Sequence, residues 1–302
     1  MLAETRAFNE AIEALLATLP PVFTVPPEVT RRERREGGGV FPAPVFEPRA
    51  RWEHIPGRGG DIPLRIIEPE GEPQGVYLHF HGGGWVLGAA DLQDPGLKAA
   101  ADATGLTMVS VDYRLAPEHP FPAGPDDCED AALWLLDRFP GKRVTGGESA
   151  GAQLAAVTLL RLRDRHGIDV REAFAGANLV FGAFDLTGTP SRHLWGDRDL
   201  ILSSPEMDWF ADCYLPGMSD HERRAPDVSP LFADLTGLPP AFFTCGTLDP
   251  LLDDTLFMEA RWRAAGNETK LSLYPEAVHA FVAFEIEAAR RSRAEQYAFL
   301  RG

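Results

Sequence analysis

Cysteine is scarce in this chain. Cys128, Cys213 and Cys245 are three among 302 residues, odd in number and far apart, a usage that suggests neither a disulfide framework nor a zinc site and fits a reducing compartment. Positive charge is also short: 29 Lys and Arg stand against 45 Asp and Glu, for a formal net charge of −16. Nucleic acid and anionic membrane surfaces both demand clustered cations, so this balance argues against either as a partner. No apolar run approaches the roughly 20 residues that span a bilayer, and there is no low-complexity tract and no internal repeat. The opening stretch "MLAETRAFNEAIEALLATLPP" mixes acids among its apolar residues and lacks a basic region before an apolar block, so it does not read as a secretory signal. A cytoplasmic location is the expectation.

What is present is the balance of a globular protein. Apolar residues make up 44% and charged residues 25%, at a length that suits one large α/β domain with an accessory piece. Residues 4–19 place Phe8, Ile12, Leu15, Leu16 and Leu19 at helical spacing before Pro20 and Pro21, which predicts an amphipathic helix. The stretch "RRERREGGG" reads as a solvated turn or frayed helix with a glycine linker. From residue 50 the pattern changes to short β-rich runs: "DIPLRIIEP", "QGVYLHFHG", "LTMVSVDY", "KRVTGGE", "ANLVFGAFDL", "AFFTCGTLDP" and "ETKLSLYPE". Helical stretches lie near 91–104, 123–138, 150–165, 252–265 and 280–299. Strands alternating with helices imply a mainly parallel sheet. Residues 188–225 interrupt the alternation with a polar loop and then "SSPEMDWFADCYL", a helix with Ser at its cap and Pro in its first turn. The expected organisation is a core over residues 50–302, with 1–49 and the insertion 188–225 forming a cap.

The segment "VTGGESAG", residues 144–151, holds Ser149 in the spacing GxSxG. In a chain with 29 glycines that spacing alone is weak, so its context decides. A strand precedes it and an apolar helix follows, with Gly147 and Gly151 leaving room for a sharp turn that projects the serine hydroxyl at the edge of the sheet. A serine needs a base to become nucleophilic. His279, in "YPEAVHAF", lies just after the last strand and before the last helix. Asp249 sits where the run "AFFTCG" ends, whereas Asp253 and Asp254 fall on the following helix and read as capping or solvated groups. The order Ser149, Asp249, His279 is that of the α/β-hydrolase triad, in which the acid orients the imidazole.

The run "HFHGGGW", residues 79–85, supplies a glycine loop in which backbone N–H groups approach a ligand without Cβ interference. Donors from Gly83, Gly84 and Ala150 would stabilise a developing oxyanion by roughly 3 to 4 kcal/mol each. His79 and His81, two apart, are alternative metal ligands, but no third ligand has suitable local spacing. The preferred reading of His81 is a hydrogen-bonding post that shapes the loop. Trp85 either lines the pocket or packs beneath it, and Glu148 either bonds to a neighbour of the site or faces solvent.

Taken together, "HGGGW", "DYRLAPEHPFPA", "GESAG", "LDPLLDD" and the "HAF" histidine resemble the bacterial hormone-sensitive lipase family of esterases, over roughly residues 50–302. The resemblance implies an α/β-hydrolase core with a helical cap, the triad Ser149, Asp249 and His279, and oxyanion donors from Gly83, Gly84 and Ala150. It implies no cofactor and no metal. Two positions depart from the usual pattern: Glu148 stands where Asp is common, and Ala152 where Gly is common. The expected activity is hydrolysis of short to medium acyl esters, a small-molecule substrate class. An amidase or lactonase using the same triad is the alternative, and a non-catalytic ligand-binding module is a third reading. The oligomeric state is open, with a homodimer as one option.

Overall fold

The computed structural model describes all 302 residues. Two helices come first, α1 (Leu2–Leu16) and α2 (Pro27–Arg35). The core opens with β1 (Arg51–Gly57) and β2 (Gly60–Ile67), then β3 (Val76–Phe80), α3 (Asp94–Thr104), β4 (Thr107–Val111), α4 (Ala123–Arg138), β5 (Arg143–Glu148) and α5 (Ala150–His166). A short α6 (Val170–Ala173) leads into β6 (Gly176–Val180). Three helices follow, α7 (Pro190–Trp195), α8 (Ser204–Tyr214) and α9 (Asp220–Arg223), before β7 (Ala241–Leu248), α10 (Leu252–Ala264), β8 (Thr269–Val278) and α11 (Glu287–Arg301).

All eight strands form one sheet in the order β1-β2-β4-β3-β5-β6-β7-β8. The pairs β1/β2 and β2/β4 are antiparallel and every other pair is parallel. The chain leaves β3 for β4 on one side and later places β5 on the other. The loops after β3 and β5 therefore diverge, and this is the switch point where α/β sheets form their ligand crevice. Strands β3, β4 and β6 are buried at every residue, as parallel strands must be when helices cover both faces. Helix α5 is buried continuously from Ala150 to Leu162, which is why it is apolar nearly all round. Helix α8 begins as expected, with a capping box between Ser203 and Glu206 and Pro205 in its first turn.

Several elements differ from the sequence expectations. Strand β1 was not foreseen; it lies at the sheet edge, where the N–H that Pro56 lacks removes no central ladder bond. The last helix starts at Glu287, since Phe281–Ala283 form a separate 3₁₀ turn. Residues 31–35 are a correction of kind. They form the end of α2, not a solvated turn: Arg31 donates to the carbonyls of Val86 and Ala116, both at 2.7 Å, and Arg35 pairs with Asp91 at 2.7 Å. Two of the charges that suggested solvation, Arg31 and Arg35, fasten the helix to the core, while Arg32 and Glu33 remain exposed. No helix is long and apolar enough to cross a membrane.

Candidate active site

Ser149 sits between β5 and α5 with φ +56° and ψ −120°, a region that costs a non-glycine residue on the order of 1–3 kcal/mol and persists only where the surroundings enforce it. Two enforcing contacts are visible. Its N–H donates to the Val180 carbonyl at 2.9 Å, and the turn presses so closely on β3 that a Cβ at either Gly147 or Gly151 would collide with the Phe80 carbonyl oxygen. The glycines permit that approach, and the approach sets the serine's direction.

The serine points at a histidine. His279 Nε2 lies 3.0 Å from Ser149 Oγ, and His279 Nδ1 lies 2.9 Å from Asp249 Oδ2. Asp249 and His279 are both buried, and the second carboxylate oxygen of Asp249 accepts the Leu251 N–H at 2.8 Å. The acid is thereby locked, and the tautomer with hydrogen on Nδ1 leaves Nε2 as an acceptor facing the hydroxyl. The three residues come from the ends of β5, β7 and β8, which only the parallel sheet brings to one edge.

The glycine loop lies opposite. Gly83 and Gly84 have φ of +123° and +60°, and neither N–H donates within the protein. A Cβ at Gly84 would run into the Phe210 ring, so this position must be glycine for α8 to come down over the loop. Ala150 opens α5, and its N–H belongs to the first helical turn, whose donors have no intrahelical acceptor.

The neighbouring residues divide clearly. His81 stacks on Tyr113 at 4.3 Å, its Nδ1 lies 2.9 Å from the Gly82 carbonyl, and the Tyr113 hydroxyl donates to the His81 carbonyl at 2.7 Å. Burial pushes its pKa down and keeps the ring neutral. His79 is separately engaged, Nδ1 with Ser110 Oγ at 2.8 Å and Nε2 with Glu148 at 3.0 Å. The two rings share no ligand position, and no cluster of three or more His, Cys, Asp or Glu has metal-binding geometry. Glu148 bonds to His79 while remaining partly open to the cavity. Trp85 likewise lines the cavity and packs: its Nε1 donates to Gln153 at 3.0 Å and its ring stacks on Tyr214 at 4.7 Å.

Ser149, His279, Gly83 and Gly84 open into one cavity of about 490 Å³, walled in part by Phe210 and Met207. Two features were not readable in the sequence. Gln153 bridges the Trp85 indole to the Val228 carbonyl. Asp254, expected as a capping or solvated group, is fully buried and accepts from Phe184 N, Asp185 N and Thr189 Oγ1 at 2.6–2.9 Å. The expectation failed because it counted only α10 and not the 184–189 segment that returns against it.

The sheet and the strand, serine and helix elbow at its switch point define the class, an α/β-hydrolase. A profile of the alpha/beta hydrolase fold matches residues 77–283. Carboxylesterase NlhH of Mycobacterium tuberculosis is 36% identical over 92% of this chain and 90% of its own length. An acetyl esterase of Salmonella paratyphi A is 29% identical over 76% of this chain and 72% of its own. Among solved structures, the hyperthermophilic esterase from the archaeon Pyrobaculum calidifontis superposes with a TM-score of 0.87 at 31% identity, over 98% of this chain and 97% of that one. The chain belongs to the hormone-sensitive-lipase-like family of α/β-hydrolases.

Proposed function

We propose that this chain is a serine carboxylesterase in which Ser149, His279 and Asp249 carry the reaction on short to medium acyl esters. The observation that carries the reading is the unbroken hydrogen-bond chain from Ser149 Oγ through His279 to Asp249, at 3.0 and 2.9 Å, opening into a cavity. The named activities of the similar proteins support it.

In this reading His279 Nε2 takes the Ser149 proton as Oγ attacks the ester carbonyl carbon. The N–H groups of Gly83, Gly84 and Ala150 receive the negative charge that forms on the carbonyl oxygen. Removing one such donor in other serine hydrolases costs about 3 kcal/mol of barrier. The tetrahedral species collapses, His279 hands its proton to the departing alcohol oxygen, and the acyl group stays on Ser149. Water then attacks with His279 as base, a second tetrahedral species forms, and the free acid leaves. Asp249 holds the ring's tautomer and stabilises the imidazolium of both steps.

Residues 1–49 and 188–225 act as the roof. Helix α8 brings Phe210 down on the glycine loop, and its ring walls the cavity there. Each buried CH₂ adds up to about 0.8 kcal/mol until the space is full, and later carbons gain nothing. A fluorophosphonate probe should label Ser149 and no other serine. Across p-nitrophenyl esters from acetate to palmitate below the micellar limit, kcat/KM should rise and then fall. An unlabelled Ser149 would end the nucleophile assignment, and a kcat/KM still climbing at palmitate would end the closed roof. Faster cleavage of a matched anilide or lactone would favour an amidase or lactonase over an esterase.

A further inference from the structure

The roof holds a cation that this mechanism does not use. Arg34 is one of four arginines on α2, and its neighbours Arg31 and Arg35 are committed to core carbonyls and carboxylates. Arg34 is different. Its guanidinium carbon stands 4.9 Å from the centre of the Phe41 ring, and Phe41 stacks in turn on Phe284 at 5.8 Å. It lines the same cavity as Ser149 and His279, yet its guanidinium makes no hydrogen bond and no ion pair; the one acid that acts on it, Glu206, does so only through space.

That acid is turned elsewhere. The Glu206 carboxylate accepts the Ser203 N–H at 2.8 Å and the Ser203 hydroxyl at 3.0 Å. Burial, reinforced by Asp199, pushes Glu206 up to about 7, so near neutral pH it is partly protonated and offsets Arg34 incompletely. Burial brings Arg34 itself down to about 10, which leaves it charged. The other charged groups on the cavity wall have partners: Glu148 with His79, Arg192 with Asp208, and Arg293 with Glu285. Arg34 is half-buried, and an unpaired cation drawn even partly out of water is costly unless something supplies the missing charge; a planar guanidinium held on one face by an aromatic ring matches a carboxylate through two parallel N–H donors.

We infer that the substrates of this cavity carry a free carboxylate in addition to the ester bond, and that Arg34 recognises it. The inference rests on Ser149 as the nucleophile. In a chain of net charge −16, long-range attraction does not draw an anion in, so the recognition is local to the cavity. The carboxylate belongs either to the acyl portion, as in a dicarboxylic monoester, or to the alcohol portion, as in an ester of a hydroxy acid.

The test compares matched pairs in the wild type, Arg34→Leu and Arg34→Lys. The acyl arm uses p-nitrophenyl monoglutarate against p-nitrophenyl pentanoate, and the alcohol arm uses carboxymethyl butyrate against ethyl butyrate. Arg34→Leu should lower kcat/KM for the carboxylate ester of one arm by about ten- to a hundred-fold, mainly through KM, as for loss of one charged hydrogen-bond pair. The neutral partner should keep its rate, and Arg34→Lys should restore part of the loss. The responding arm tells which side of the ester carries the acid. Equal loss on charged and neutral esters would show a merely structural Arg34 and overturn the inference, as would no loss on either arm. A measurement without variants guards against misfolding: glutarate should inhibit wild-type hydrolysis of p-nitrophenyl butyrate competitively and better than glutaramide, and parity between the two would also overturn it. Unchanged hydrolysis of the neutral esters by Ser149→Ala would instead remove the nucleophile reading beneath it.

Discussion

The floor and the roof of the cavity are built by different physics. The floor consists of strand ends and the two turns that follow β3 and β5, held by sheet hydrogen bonds and by backbone contacts too tight for any side chain at Gly147 or Gly151. The roof consists of helices fastened by side chains reaching across long stretches of sequence, such as Arg31 to Val86 and Ala116 and Arg198 to Glu13. In the proposed reading the backbone floor fixes where atoms react and the roof of side-chain ties fixes what enters.

The largest effects should therefore come from the floor. Ser149→Ala and His279→Ala should each lower kcat by about four orders of magnitude or more with folding intact, as when a member of an acyl-transfer triad is removed. Near-normal turnover in either, measured on protein with wild-type circular dichroism, would break the distinction at its base. Asp249→Asn should also be severe, since an amide in that place favours the wrong imidazole tautomer. Asp253→Asn should be mild, because that carboxylate accepts only the Ser191 N–H from outside its own helix.

A roof variant should behave otherwise. Arg31→Ala removes the two donors to core carbonyls at 2.7 Å, each worth about 1 kcal/mol or somewhat more for a charged donor. The expected outcome is a raised KM with kcat little changed, and faster proteolytic cutting between residues 17 and 49. A kcat collapse comparable to that of His279→Ala would mean that the roof takes part in positioning the reacting groups.

The smallest expected effect concerns pH and the joint between the two regions. Asp254 is pushed up to about 7, burial outweighing the donors from Thr189, Asp185 and Phe184, whereas an unfolded Asp titrates near 3.9. Between those values the unfolded chain has lost a proton that the folded chain keeps. Stability therefore falls as pH rises through that window and levels off above it. Asn cannot titrate and still accepts the two N–H groups, so Asp254→Asn should narrow the difference in Tm between pH 5 and pH 8. Glu206, also pushed up to about 7, leaves part of the slope in place. An unchanged slope would show that Asp254 is ionised throughout.

The fold was largely legible because a parallel sheet writes itself locally. Each of β2 to β8 is a short β-rich run, and the helices between them carry their own periodicity. Strand β1, RWEHIPG, shows no β-rich run of its own and is a strand through its pairing with β2 along its whole length. The elements of the candidate site were legible for the same reason: GxSxG, the triple glycine and the positions of Asp249 and His279 are short segments placed at strand ends. Their distances were not, since 130 residues separate Ser149 from His279 and 30 separate that histidine from Asp249.

By itself the sequence determined the order of strands and helices, the sharp turn at Ser149 and the glycine loop, because these follow from local backbone preference and from the absence of a Cβ. Only the tertiary structure decided which charges are spent and which are free. Arg31, Arg34 and Arg35 are the same residue type within five positions, yet two are bonded to the core and one faces the cavity over Phe41. Asp253 and Asp254 are adjacent, yet one is half-buried and the other fully buried. Desolvation and pairing depend on what folds back against a side chain, and that partner lies tens of residues away in the chain, where no local pattern records it.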